Sequence, residues 1–275
     1  MFRCTSVSDI AGQMTAASAN ADRVTVATVS LPSGGLKRIR RSLSLGFPKW
    51  RNANDAEVRF VVEQIRREAL SIAVASIDKT SSDWRQFWED ANDTHNKVSS
   101  IEGGTVGFLK AATMLKFLMF GHSCAMATGH AIIIKSIPND LQDGKKLTVT
   151  EAVIFDNEIQ GNDNLDALVE IWQSINSHQP LSNNIGLTRT ASTLRLTTEE
   201  SEPLLLLADY AAGLCHARSS TANVLAKSKV TAGVADSAYL QLSKSRKFID
   251  FSGVIRLNYY EIYPEFQKFS RANAP

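Results

Sequence analysis

Three aspartates lie at positions from which a carboxylate could do chemistry. Asp9 follows a short N-terminal segment, Asp156 comes directly after the apolar run VTEAVIF, and Asp209 interrupts the apolar segment LLLLADYAAGLCHA. Converging carboxylates bind hard divalent cations such as Mg²⁺ or Mn²⁺, which prefer oxygen ligands. Two such ions can hold the attacking and leaving oxygens of a phosphodiester during its hydrolysis. Asp9, Asp156 and Asp209 are therefore the predicted metal ligands and catalytic residues.

Each aspartate also has a simpler interpretation. Asp9 and Asp156 could be turn residues, because aspartate is common where a strand ends. Asp209 could occupy one exposed position of an amphipathic helix, although an ionised carboxylate on an apolar face is costly unless it is paired or bound to a cation. The catalytic interpretation therefore depends on the three side chains converging.

A basic stretch follows the second predicted strand. The segment LKRIRRSLSLGFPKWR contains no acidic residue. Cations in such a run can contact nucleic-acid phosphates without reading base sequence, but the same composition also describes the solvated face of a short helix. Trp50 could stack on a base or belong to the core. The predicted nucleic-acid-binding residues are Lys37, Arg38, Arg40, Arg41, Lys49 and Arg51.

Strands and helices alternate along the sequence, which is typical of an α/β domain. Residues 2–8 and 23–31 are expected to form a hairpin with a long loop rich in Ala, Ser and Asn. The apolar run at 70–77 predicts a strand covered on both faces. Further strands are expected at 149–155, 192–196 and 254–262, and helices at 54–69, 164–175 and 204–217, with others starting near 81 and 105.

Composition is that of an ordinary globular protein, with 44% hydrophobic and 21% charged residues. Thirty Lys and Arg residues against 28 Asp and Glu residues give a net charge of +2, which indicates no partner by itself. The three cysteines form no C-x-x-C pair, which favours a reducing compartment. We expect one cytoplasmic domain over residues 1–275, with a helical insertion at about 81–135. Residues 117–134 are uncharged, but their two histidines favour a buried helix over a membrane span.

These residues resemble the ribonuclease-H-like family catalogued as domain of unknown function 3800. The segment LLLLADYAAGLCHARSS is similar to the family's late helix, and VIFDNE is similar to its strand and aspartate. SVSDIAGQ, followed by a valine-rich strand, resembles its opening D-E-S-G element. The resemblance covers most of the chain. It implies a ribonuclease-H-like mixed central sheet flanked by helices, with Asp9, Asp156 and Asp209 as metal ligands.

The sequence departs from the family pattern at two places. Ile10 and Ala11 replace the acid and the serine of the opening element. The family's E-x-K element, whose glutamate supplies a metal ligand in related folds, is matched here only by Phe47-Pro48-Lys49, without the glutamate. The carboxylates that could substitute for it are Glu57, Glu158 and Asp163.

Two functions are consistent with this resemblance. The first is a nuclease or phosphodiesterase that uses Mg²⁺ or Mn²⁺ and acts on nucleic acid, with a bacterial defence or mobile-element setting. The second is a catalytically degenerate ribonuclease-H-like module that binds nucleic acid or a protein partner. A fourth carboxylate near the three aspartates would favour the first function, and its absence would favour the second.

Overall fold

The computed structural model describes residues 12–19, 22–44, 46–90, 119–121, 123–124, 126–131, 153–156, 194–219 and 229–252. Its strands are β1 (Gly12–Ala19), β2 (Arg23–Leu31), β3 (Ser71–Asp78), β4 (Val153–Asp156), β5 (Leu194–Thr197) and β6 (Phe248–Asp250). Its helices are α1 (Leu36–Leu43), α2 (Asp55–Glu68), α3 (82–90), α4 (Leu205–Ser219) and α5 (Ala232–Ser243). Further helical residues lie between 119 and 131.

The six strands form one mixed sheet in the order β5-β4-β1-β2-β3-β6. β1, β2 and β3 are antiparallel neighbours, whereas β4 runs parallel to β1 and β5 runs parallel to β4. The predicted α/β class is confirmed: the chain has a mixed central sheet flanked by helices. The short strand β6 extends the sheet at its other edge, parallel to β3.

The predicted hairpin forms, but its first strand is not where the sequence suggests. β1 lies in the small-residue stretch that we expected to be a loop, and it pairs with β2 from Gly12 opposite Leu31 to Ala19 opposite Val24. Its side chains have little intrinsic preference for a strand. They become a strand because β1 is central, with β2 on one side and β4 on the other, and because Met14 and Ala16 are buried. Residues 2–8 lie outside the described residues.

Helix α4 packs against β1 and β2 and is the centre of the main hydrophobic core. Helix α2 lies against α4 and α5, and its N-terminus is capped by Asn54, whose side chain accepts hydrogen bonds from the amides of Ala56 and Glu57. On the other face of the sheet, helical residue Phe120 contacts Phe155. On the same face, Ala127 packs with Ala73 and Ala75 of β3, so β3 is buried on both faces, as predicted.

Several expected elements lie outside the described residues, namely the helices near 105 and at 164–175 and the strand at 254–262. The single-domain arrangement stays a prediction. Within the described ranges, no helix is both long enough and apolar enough to cross a membrane.

Candidate functional site

Asp156 is the last residue of β4 and is almost completely buried, with 2% exposure. In open α/β sheets, residues at the carboxyl ends of strands face the ligand crevice. The parallel register pairs Thr15 of β1 with Phe155 of β4, so the next position on β1, Ala16, is level with Asp156. Side chains alternate between the two faces of a sheet. Ala16 and Asp156 therefore share the face of the sheet that α4 covers. Because the residue of β1 beside Asp156 is an alanine, β1 supplies no carboxylate at this position.

Asp209 lies in the first turns of α4 and is partly buried. Its Oδ2 accepts a hydrogen bond of 2.6 Å from the backbone N–H of Trp50. The neighbouring Tyr210 is fully buried and donates its hydroxyl to the carbonyl oxygen of Pro48 at 3.0 Å. Burial raises the pKa of Tyr210, and the negative charges of Glu57 and Asp209 raise it further, so the hydroxyl remains a donor. Helix α4 thus binds the 47–52 segment through two adjacent side chains.

The indole ring of Trp50 completes this attachment. It is buried, meets the ring of Tyr210 edge-on at 5.9 Å between centroids, and lies directly against Gly213 of α4. The core interpretation of Trp50 is therefore the correct one. A ring this close leaves no room for a Cβ at residue 213, which explains the glycine in the sequence ADYAAG.

Lys49 is placed by this attachment so that its ammonium group meets two buried carboxylates. Its Nζ lies 2.7 Å from Oε2 of Glu199 and 3.8 Å from Oδ2 of Asp156. Burial by itself would lower the pKa of Lys49, but the contact with Glu199 and the charges of Asp156 and Asp209 outweigh it and raise the pKa. Lys49 is therefore a fixed positive charge. We call Lys49, Asp156, Glu199 and Asp209 the lysine–carboxylate cluster.

Glu199 is the member of the cluster that the sequence did not indicate. It lies in the turn after β5, within the polar run TTEESE, where an acidic residue is usually exposed to solvent. Here it is 6% exposed. Its contact with Lys49 is short but not aligned as a hydrogen bond, and no donor among the described residues reaches Oε1. Glu199 could have been found from its position after β5. Because β5 runs parallel to β4, the ends of the two strands meet at the same edge of the sheet.

The described residues do not form a divalent-metal centre. Within these ranges, no three His, Cys, Asp or Glu side chains are arranged to hold a metal ion. The positive charge beside Asp156 and Glu199 comes from Lys49, and one oxygen of Asp209 is bound by a backbone amide. Asp9 lies outside the described residues. Its role as a ligand, and the divalent cation itself, stay predictions.

Of the three carboxylates expected to replace the missing glutamate, Glu57 is the one within the described residues, and it lies elsewhere. Glu57 belongs to the capping box of α2, where its Oε2 accepts the N–H of Asn54 at 2.8 Å. Glu158 and Asp163 lie outside the described residues. Among the described carboxylates, only Glu199 is added to the two aspartates.

The predicted nucleic-acid-binding residues divide into two groups. Arg38 forms an ion pair with buried Glu68, and Arg40 binds Glu202 through two hydrogen bonds of 2.9 Å. With Lys49, these cations are occupied within the protein. The other three are exposed and have no ion-pair partner among the described residues. They are Lys37, Arg41 and Arg51.

We expect Gly213→Ala to lower the free energy of unfolding by about 2 kcal/mol, because the added methyl group overlaps the Trp50 indole and overpacking of a core is destabilising. Gly233→Ala in α5 is the matched control, since its new methyl group meets open space. It should leave the stability unchanged or slightly higher. Urea denaturation of both variants measures the difference. Equal stabilities would show that the packing of the Trp50 ring does not require a glycine at position 213.

No protein-family model and no curated protein matches this chain. Among solved structures, it is similar to a chain of the PCNA:RNase HII complex from Archaeoglobus fulgidus, with 11% sequence identity. The similarity covers 76% of this chain and 73% of that chain, with a TM-score of 0.38. No family assignment follows from these comparisons.

Proposed function

We propose that this chain is a ribonuclease-H-like protein that binds nucleic acid through its basic helix α1 without hydrolysing it. The observation that carries the proposal is the lysine–carboxylate cluster. Lys49 supplies the positive charge that Asp156 and Glu199 require, and Asp209 holds the backbone of the 47–52 segment. This is the degenerate-module function that the altered sequence motifs already suggested.

The energetics of the cluster support a structural role. A buried carboxylate is strongly destabilising without an opposite charge or hydrogen bonds. Here one ammonium group serves both Asp156 and Glu199, and its pKa is raised, so it stays charged at neutral pH. The ammonium group therefore offsets part of the negative charge of the cluster and ties β4, the turn after β5 and the 47–52 segment together.

The charge of α1 supports binding of a polyanion. Lys37 and Arg41 are one helical turn apart, and both are exposed. Neither they nor Arg51 have a carboxylate partner among the described residues, so their charges are open to phosphates. Phosphate contacts of this kind give affinity that is independent of base sequence and decreases steeply with salt.

The experiment is equilibrium binding of labelled DNA and RNA oligonucleotides, measured by fluorescence anisotropy as a function of salt, with cleavage followed in parallel in Mg²⁺ and Mn²⁺. We expect salt-dependent binding without cleavage.

A variant with Lys37, Arg41 and Arg51 changed to glutamine should bind nucleic acid about tenfold or more weakly than the wild type, with a shallower salt dependence. The control changes three other exposed cations, Arg85, Lys244 and Arg246, and should bind like the wild type. An equal loss of affinity in both triple variants would contradict a defined nucleic-acid-binding surface on α1.

The metal-dependent nuclease remains a second candidate, because Glu199 is a further carboxylate close to Asp156, the feature that would favour this function. Oε1 of Glu199 is buried, and no donor among the described residues reaches it. A buried acceptor without a partner is unusual and would suit an additional ligand next to Asp156. Cleavage that requires Mg²⁺ or Mn²⁺ and is lost in both Asp156→Asn and Glu199→Gln would establish this candidate and overturn the non-hydrolytic function.

A further inference from the structure

An aromatic pair lies beside the basic stretch. The rings of Phe47 and Phe60 are stacked, with centroids 4.9 Å apart and planes inclined by 21°. Phe47 is partly buried against the main core, whereas Phe60, on α2, is 36% exposed. One ring is thus anchored by the core and the other presents apolar surface to solvent.

The charges around this pair favour an anionic partner. Arg59 precedes Phe60 and Arg51 follows Phe47 by four residues; both are exposed, without ion-pair partners among the described residues. The nearby acidic side chains of α2 keep their negative charges, but each is bonded within the protein. Asp55 accepts hydrogen bonds from Thr231, Glu57 caps its own helix, and Glu63 pairs with Arg66.

We propose that Phe47 and Phe60 form a stacking platform for an unpaired base of single-stranded nucleic acid, with Arg51 and Arg59 contacting the flanking phosphates. This inference rests on the proposed function and specifies its substrate class. Aromatic side chains bind the faces of bases regardless of sequence, and nearby cations follow the backbone. Bases in a duplex are already stacked on each other, so the platform distinguishes single strands from double strands.

A second stacked aromatic pair shows why the surroundings matter. Trp84 and Trp88 of α3 stack at 6.1 Å, and Trp88 is also 36% exposed. However, the same short helix carries three acidic residues, Asp83, Glu89 and Asp90, against one basic residue, Arg85, and the nearby cation Lys79 already lies 5.9 Å over the ring of Trp84. The Trp84–Trp88 pair is therefore the matched control, with the same exposure on an acidic helix.

The test is anisotropy with a labelled single-stranded DNA 12-mer, the same 12-mer with abasic sites, and its duplex. We expect Phe60→Leu to weaken binding of the intact single strand about five- to tenfold, with no effect on the abasic strand or the duplex. Trp88→Leu should bind all three like the wild type. Phe60→Tyr, which keeps an aromatic ring, should restore the affinity, and thermal unfolding confirms that each variant is folded.

The outcomes separate this inference from the proposed function. Binding by the wild type that Phe60→Leu leaves unchanged overturns the platform and leaves the proposed function standing. An equal loss of affinity for the intact strand, the abasic strand and the duplex also overturns the platform, because it indicates a role other than stacking. Absence of binding by the wild type to any oligonucleotide overturns both.

Discussion

Lys49→Met is expected to lower the free energy of unfolding by about 3 kcal/mol, because it leaves two buried carboxylates without their common cation. Asp156 and Glu199 are 2% and 6% exposed, so water cannot easily replace the ammonium group. Methionine preserves most of the length and apolar contact of the lysine side chain, which isolates the effect of the charge. For a chain of this size, the loss corresponds to a decrease in melting temperature of roughly 6–12 °C.

A double-variant cycle tests the cause of this loss. Glu199→Gln in the Lys49→Met background removes one of the two stranded charges, and we expect it to recover about 1 kcal/mol or more. Lys244→Met is the matched control at an exposed lysine and should change stability by less than about 0.5 kcal/mol. If Lys49→Met were as stable as Lys244→Met in urea denaturation, the cluster would not depend on the lysine charge.

The parts of the fold that the sequence predicted are those with a strong periodic pattern. The valine-rich alternation of β2 and the apolar runs of β3 and α4 gave these elements nearly the bounds that they have in the structure. Strand β1 was missed because Gly12–Ala19 contains mostly small residues, and its conformation depends on the two neighbouring strands. Tertiary context can override such weak local preference.

The sequence indicated two carboxylates of the candidate site, because each follows or interrupts a strongly apolar segment. Asp156 and Asp209 were identified from their positions after a strand and within an apolar helix, and both belong to the lysine–carboxylate cluster. Lys49 was predicted to contact phosphates, but it pairs with carboxylates because the attachment of Trp50 and Pro48 to α4 directs it inward. No local pattern carries this information, since residues 49 and 199 become neighbours only when the fold brings β5 beside β4.

The register of β1 suggests how a metal site could be introduced. Ala16 is fully buried, level with Asp156 and on the same face of the sheet. We expect Ala16→Asp combined with Lys49→Met to bind Mn²⁺, because it adds a fourth carboxylate to the cluster and removes the competing ammonium group. Without metal this variant should be strongly destabilised, since like charges would be buried together.

Metal binding is read from stability, which does not require catalytic activity. A ligand present at 100 times its dissociation constant stabilises the folded state by about 2.7 kcal/mol, so Mn²⁺ should raise the melting temperature of this variant above its value in EDTA. Ala17→Asp with Lys49→Met is the control, because Ala17 is the next residue on the same strand and points to the opposite face. Equal Mn²⁺ effects in both variants would show that Ala16 does not face the cluster. A shift confined to the Ala16 variant would mean that one missing carboxylate and one lysine separate this cluster from a metal centre.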